Sequence, residues 1–463
     1  MIVKDLSSCS NYYSQFFKEY TELRMQENRE INIAYVKGNL MRNEINATSG
    51  VSARVYKSGS WGFSSNPDLN PDTAKSVIKS ATDNALYLDS RVKKSEKPLP
   101  DDKTLAENDF ATRNIRRSQK ELVDFAKELD TYIDNKYPSL TSRIVVLRCL
   151  DMEKSVITSS GSSFFSMIPR TNFIIRLSTE KDGHPVELYD VTGGLGQFED
   201  LYNSASELYQ KVDKIYEHLM NKREGVFSNA GVRPCVLDAA LAGILAHEAI
   251  GHTTEADLVL GGSVAGDYMG KEVASDLVTL VDFAHTAMGG TCPVPVYVDD
   301  EGIKAEDAVI IEKGVLKCFM HNKESANHFD AKPTGNARAY QFSDEPLIRM
   351  RNTAILPGES HLEEMIASIE DGYYLMKPGN GQADSTSEFM FGVPLGYEIK
   401  NGKLGKAIKD TTISGVAFDM LKTVTMVSDD MSWSNGGMCG KKQPIPVGLG
   451  GPAIKCKVNV GGR

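Results

Sequence analysis

Two imidazoles and a carboxylate fall within six residues at the end of an apolar run, Leu241-Ala-Gly-Ile-Leu-Ala-His247-Glu248-Ala-Ile-Gly251-His252. Neutral imidazoles hold a metal, and an adjacent carboxylate takes a proton from bound water, which is the set a zinc hydrolase needs. The spacing constrains the backbone. Zinc helices ordinarily carry their histidines at i and i+4, about 40° apart around the axis. Here they stand at i and i+5, about 140° apart on a regular helix, so an undistorted helix cannot bring both to one ion. Gly251, directly before His252, marks where the helix either ends or widens into a π-turn. Buried structural histidines are the plainer alternative for the same residues.

The rest of the chain narrows the class. Its 463 residues suffice for two or three domains with substantial cores. The net charge of −10, without any stripe of Lys and Arg, disfavours a nucleic-acid surface. No apolar stretch reaches about eighteen residues, so no membrane span is expected. The N-terminal Met1-Ile-Val-Lys-Asp-Leu-Ser-Ser-Cys9 lacks the apolar core of a signal peptide. The seven cysteines are scattered, odd in number and without a CxxC pair, which fits free thiols in a reducing compartment, the cytoplasm.

Along the chain, residues 11–66 combine a short aromatic helix with strand-like runs at 30–36 and 51–59. Asn70-Pro71 opens a helix with Ala74, Val77, Ile78, Ala81 and Ala85 on one face. Residues 91–105 read as a charged loop, and 113–136 as a second helix burying Leu122, Phe125, Leu129 and Ile133. Strands are expected at 142–148, 162–168 and 171–177. Leu201, Ala205, Leu208, Val212, Ile215 and Leu219 then form a long stripe open to coiled-coil pairing but better suited at this length to docking on a sheet, as core or subunit interface. The polar segment 221–231 separates this part from one of different texture. There, strands and turns follow the histidine helix at 237–251, with hairpins around Lys313-Gly314 and Asn401-Gly402. One further helix begins at Ser360, with Glu363 completing a capping box. The expected fold is α+β: an N-terminal helix and sheet domain (1–225), then a β-rich domain (232–463) bearing the histidine helix.

His247-Glu-Ala-Ile-Gly-His252, followed by Glu255 and Asp257, resembles the metal motif of the TldD/PmbA family, also called modulators of DNA gyrase. Val298-Asp-Asp-Glu-Gly302, Thr334-Gly-Asn-Ala-Arg338, Gly379-Asn-Gly-Gln-Ala-Asp384 and the glycine-rich run from Cys439 to Gly451 are similar to its further signatures. Ser60-Trp-Gly-Phe63 and Thr192-Gly-Gly-Leu-Gly196 are similar to weaker ones. The likeness is closest to the TldD-type subunit, since the PmbA type lacks the histidines. Thr253-Thr254 and Gly450-Gly451 depart from the pattern without removing a motif residue. The resemblance implies a zinc metallopeptidase acting on unfolded or extended peptides. Its Zn²⁺ ligands would be His247, His252 and Cys439, with Glu248 as general base.

Read alone, Cys439 is a buried small residue. Glu255 and Asp257 are either solvated carboxylates or acceptors that orient a ligand histidine. Asn336, Arg338 and Asp384 either shape a peptide channel or serve turns and ion pairs. The family also implies a dimer, either of two copies or with a PmbA-type subunit. The alternative from another class is a non-catalytic binding or regulatory subunit, against which an intact His-Glu-x-x-x-His with Cys439 argues.

Overall fold

Odd positions of the first long strand are mostly apolar and even positions polar, and this alternation decides what each face of its sheet meets. The computed structural model describes residues 6–92, 97–100, 103–434 and 436–462, and side chains from residue 10 onward. The extreme N-terminus and parts of the 91–105 loop therefore lie outside the described residues. A helix α1 (Leu6–Ser14) precedes β1 (Tyr20–Val36), β2 (Asn39–Lys57), β3 (Ser60–Asn66), α2 (Pro71–Arg91), β4 (Leu105–Asp109), α3 (Gln119–Lys136), β5 (Ser142–Thr158), β6 (Ser163–Lys181) and β7 (His184–Leu195). The strands form one sheet ordered β3-β2-β1-β5-β6, with β4 and β7 sharing the far side of β6.

The odd face is the apolar one. Leu23, Met25, Val51, Ala53 and Val55 pack under α2, while Ile33, Tyr35, Val145, Leu147, Phe173 and Ile175 pack under α3 and its neighbours. Helix α2 starts at its Asn70 cap, which accepts from the Thr73 N–H at 2.9 Å. Helix α3 starts later than expected, at Gln119. Ser118 and Glu121 form a reciprocal capping box there, and Arg116 upstream pairs with Asp151 and Glu199 instead of joining the helix.

The two strands expected at 162–168 and 171–177 are one. Pro169 does not interrupt it, because its carbonyl points away from β5 and accepts from Gly196 N–H, so its missing N–H leaves the β5 ladder intact. The 201–219 stripe is broken at Tyr202–Ser204. A short α4 (Phe198–Leu201) and a 3₁₀ turn (Ala205–Leu208) lead into α5 (Tyr209–Arg223), and the stripe docks on the sheet rather than pairing as a coiled coil.

The even face is polar yet buried. Glu22, Arg24, Gln26 and Asn28 are at most 4% exposed. Glu22 accepts from Arg54 Nε (2.9 Å), and Arg54 also pairs closely with Glu301. Gln26 and Asn28 donate to the Tyr340 carbonyl (2.6 and 2.8 Å), and Lys154 reaches Asp300 (2.8 Å). Thus the second half of the chain covers the polar face through hydrogen bonds and ion pairs, some of them charge-assisted.

That second half has two large sheets, besides small two-stranded ones, with a helix between the large two. Leu280–Phe283, Ala308–Glu312, Val315–Leu316, Asn352–Ile355, Ser432–Ser434 and Gly448–Gly451 make a six-stranded sheet. A nine-stranded sheet is built around β8 (Gly231–Leu237) and Ile454–Val460. Helix α6 (Ala239–Leu245) sits between them, its Leu241 and Leu245 in one core with Leu280, Ile355, Leu375, Phe391 and Val458. Gly243 permits this approach, since a Cβ there would lie 2.9 Å from the Gly450 nitrogen.

The 221–231 segment is held at both ends. Lys222 Nζ meets Asp410 (2.7 Å), and Val226 bridges Ile408. The helix expected at Ser360 begins at Leu362, capped by His361 with Glu364, because the Ser360 N–H is engaged by the Val427 carbonyl. Both expected hairpins are present, with Asn401 (φ 49°) and Gly402 (φ 72°) in the turn of the second. Glu301 is fully buried and accepts from both Arg54 and the Lys323 N–H (2.8 Å). Glu301→Ala strands both donors and should cost about 3 kcal/mol, measured as a lower urea midpoint. An unchanged midpoint would show that the two halves do not depend on this contact.

Candidate metal centre

Asp238 starts helix α6 by accepting from the Leu241 N–H (2.8 Å). Burial raises its carboxyl to about 6, against backbone N–H bonds that favour the charged form. The helix runs as α through Leu245 and then widens into a π-turn over Ala246–Gly251, closed by the His252 N–H donating to the His247 carbonyl. An i→i+5 bond lays residues five apart over one another, which resolves the spacing a regular helix forbids. The two rings stand 5.2 Å apart between centroids at 78°. Gly251 is needed on the far side of the turn, where a Cβ would come within 1.9 Å of Met350 Sδ.

Cys439 approaches from the strand Met438–Cys439, which pairs with Ile445–Pro446. Its Sγ lies 3.3 Å from His252 Nε2, across 187 residues of sequence. One donor atom each of His247, His252 and Cys439 falls within 4.8 Å of the others. Both ring nitrogens of His247 are buried without a hydrogen-bond partner. Such a group is costly unless something absent from the protein itself engages it, and a soft divalent cation between two imidazoles and a sulfur would do so. The donor set therefore fits zinc. Glu248, one residue from the first histidine, has Oε2 3.6 Å from His252 Nε2 and remains partly open to solvent.

Electrostatics favour a thiolate at Cys439 facing a protonated His252, a proton that binding of a metal would have to release. Burial alone would push the Cys439 thiol up, but the facing His247 and His252 rings bring it down to about 3. Burial likewise opposes a charged His252, yet Glu255 and the sulfur raise it to about 10. Glu255 is fully buried and receives His252 Nδ1 at 2.7 Å. Asp257 is linked indirectly: Lys441 Nζ contacts its two oxygens (2.8 and 2.7 Å) as well as Glu255 (3.2 Å).

Two further residues brace the site. Lys441 joins the two carboxylates to the Cys439 hairpin. Arg349, among the largest fully buried side chains, donates to the carbonyls of Cys439 (2.7 Å), Lys441 (2.9 Å) and Gln443 (2.8 Å), fixing the backbone that presents the sulfur. Lys441 lies inside the Cys439–Gly451 signature, but nothing local gives it this role, and no signal marks Arg349, because their partners lie about ninety to two hundred positions away in the chain.

The remaining expected residues sit apart from this cluster. Asn336 is fully buried and donates to Asp282 (2.8 Å) and the Arg349 carbonyl (3.0 Å). Arg338 donates to the carbonyls of Met350 and Pro446 (2.5 and 2.8 Å). Asp384 is exposed and accepts from the N–H groups of Thr386 (2.9 Å) and Glu388 (3.2 Å), in a turn beside the π-turn. Because Glu255 fixes the orientation of the His252 ring, Glu255→Gln should weaken metal affinity about 10–100-fold. Competition against a chromophoric chelator measures this, and unchanged affinity would remove Glu255 from the site.

Comparison with known proteins shows which family the chain resembles. Residues 230–462 match the family described as the PmbA/TldA metallopeptidase C-terminal domain, and residues 21–85 match domain 1 of the same metallopeptidases. The chain is 29% identical over 416 residues to a zinc metalloprotease TldD homolog of Saccharolobus solfataricus, covering 89% of this chain and 90% of the relative. It is 30% identical over 450 residues to a metalloprotease of Methanocaldococcus jannaschii, covering 94% and 96%. Its fold matches a modulator of DNA gyrase from Thermotoga maritima (TM-score 0.78, 19% identity, 99% of each chain). It also matches TldE from Thermococcus kodakarensis (TM-score 0.76, 17% identity, 98% and 99%).

Proposed function

The chain belongs to the TldD/PmbA metallopeptidase family, and from that premise we propose that it is a zinc-dependent peptidase hydrolysing unfolded or extended peptides with low sequence selectivity. The observation that supports this most is the convergence of His247, His252 and Cys439 within 4.8 Å, with Glu248 beside them. Zinc held there would supply Lewis acidity to the scissile carbonyl and bring a water near neutral pKa. Glu248 would serve as the general base, the residue placed to accept a proton and to return it to the leaving amine. Glu255 holds the His252 ring, Lys441 ties Glu255 and Asp257 to the Cys439 hairpin, and Arg349 fixes that hairpin's carbonyls.

In this reading the chain divides into an N-terminal unit (1–225) and a metallopeptidase unit (232–463). Asp384 and Arg338 border the peptide's path, and Asn336 braces its wall. A second copy, or a PmbA-type subunit, encloses the site and excludes folded proteins. Among the described residues no helix is long and apolar enough to cross a membrane, and we place the protein in the cytoplasm.

One observation favours a second mechanism. Cys439, His252 and Glu255 also form a thiol–imidazole–carboxylate chain, with contacts of 3.3 and 2.7 Å, of the kind thiol hydrolases use. The binding-subunit alternative has no use for a proton-accepting Glu248. Metal analysis combined with casein cleavage separates the three. The proposal predicts about one zinc per chain in wild type and in Glu248→Ala, with cleavage only in the wild type and its abolition by chelators. Chelator-resistant cleavage abolished by alkylation of Cys439 would establish the thiol mechanism. Absence of zinc after reconstitution, with no cleavage, would return the binding-subunit reading.

A further inference from the structure

Gly251 does not stand in the π-turn for backbone freedom. Its φ of −56° and ψ of −55° suit any right-handed helical residue, and alanine would be the better helix former there. What excludes a side chain is space. A Cβ would lie 1.9 Å from Met350 Sδ, 3.1 Å from its terminal methyl and 3.3 Å from the Ala246 carbonyl oxygen. The thioether has little room to swing aside. Met350 is fully buried, in one apolar core with Ala246, Ala249 and Ile250 of the π-turn, and such cores are close-packed.

The segment that carries Met350 also holds the third donor. Arg349, its neighbour across one peptide unit of about 3.8 Å, donates to the carbonyls of Cys439, Lys441 and Gln443 (2.7, 2.9 and 2.8 Å). One residue therefore packs on the turn bearing His247 and His252, and the residue before it grips the hairpin bearing Cys439. Backbone bonds pin the segment itself. Lys441 Nζ donates to the Ile348 carbonyl (3.2 Å), and the Arg349 N–H donates to the Asn336 carbonyl (2.9 Å). Arg338 donates to the Met350 carbonyl, and the Arg351 carbonyl accepts from the Gly448 N–H (2.8 Å).

We propose that residues 348–351 form a strut that sets the gap between the histidine pair and Cys439, with Met350 as a positioning residue for the metal. The inference rests on the zinc reading for the identity of what the gap holds. Met350 is not a ligand in this account; it acts through the turn. A metal shell of nitrogen and sulfur tolerates a displacement of only about 0.5 Å in its donors. The donors here come from two elements 187 residues apart in sequence, His252 and Cys439, with Sγ and Nε2 3.3 Å from each other. A tie shorter than any route through either element is what such a gap needs, and the Arg349–Met350 peptide unit supplies it. A residue that only filled the core would alter stability and leave the metal shell as it is.

Two readouts on the full chain test this without turnover: zinc affinity by chelator competition, and cobalt(II) absorption as a reporter of the metal–sulfur bond. Gly251→Ala should bind zinc at least about tenfold more weakly and lose the thiolate-to-cobalt band, because the added methyl drives the turn away from Cys439. Adding Met350→Ala to that variant should recover most of both, since the side chain that blocks the methyl is gone. Met350→Ala by itself should weaken zinc binding about tenfold and serves if Gly251→Ala does not fold. Wild-type affinity and an unaltered band in either single variant overturn the proposal. So does a double variant no better than Gly251→Ala, which would assign the loss to the helix and not to Met350. Wild-type protein that takes up neither metal would refute the zinc reading itself, an outcome distinct from a wild type that binds and variants that bind equally well.

Discussion

One backbone hydrogen bond, from the His252 N–H to the His247 carbonyl, sets the geometry on which the candidate centre depends. Closing the helix at i→i+5 turns two histidines that would diverge into a facing pair. The surroundings make room for that irregular turn. Gly243 lets the preceding helix lie on the Gly448–Gly451 strand, and Gly251 lets the turn lie on Met350. With those two contacts in place, the rings face the one hairpin able to supply a sulfur.

The acidic and basic signatures that flank the centre in sequence act mainly as structural ties. Asp282 receives Arg351 Nε (2.9 Å), the N–H groups of Arg351 and Asn352, and Asn336. Arg351 is fully buried and also donates to the carbonyls of Thr334, Gly335 and Glu306. Asp300 and Glu301 reach across to Lys154 and Arg54 of the first sheet. A face that is polar in sequence is thereby buried, with its charges paired. Removing one partner of such a pair is far more damaging than its small net contribution to stability suggests. This framework holds the Cys439 hairpin against the π-turn.

How much of this was legible in the sequence depends on how local the determining interaction is. The amphipathic faces of α2 and α3, the Asn401-Gly402 turn and the strained histidine spacing at Gly251 are set by neighbours within a few residues, and they read correctly. The strand that runs through Pro169 was read as two, because only the register shows that the proline nitrogen faces away from β5. Ser360 was misread as a cap because a backbone partner at Val427 already takes its N–H. The break at Tyr202–Ser204 is hidden by a stripe whose spacing survives it. Cys439 had no spacing signal and entered only through a family signature that also contains Lys441, whose role nothing local showed, while Arg349 had no signal at all.

The central claim is that the two π-turn histidines and the distant cysteine share one zinc ion. X-ray absorption at the zinc edge of the reconstituted protein tests it most directly. The account predicts a four-coordinate shell with a single sulfur at about 2.3 Å and imidazole nitrogens at about 2.0 Å, and loss of the sulfur in Cys439→Ser. A shell of oxygen and nitrogen alone in the wild type, or one unchanged by that substitution, would contradict it.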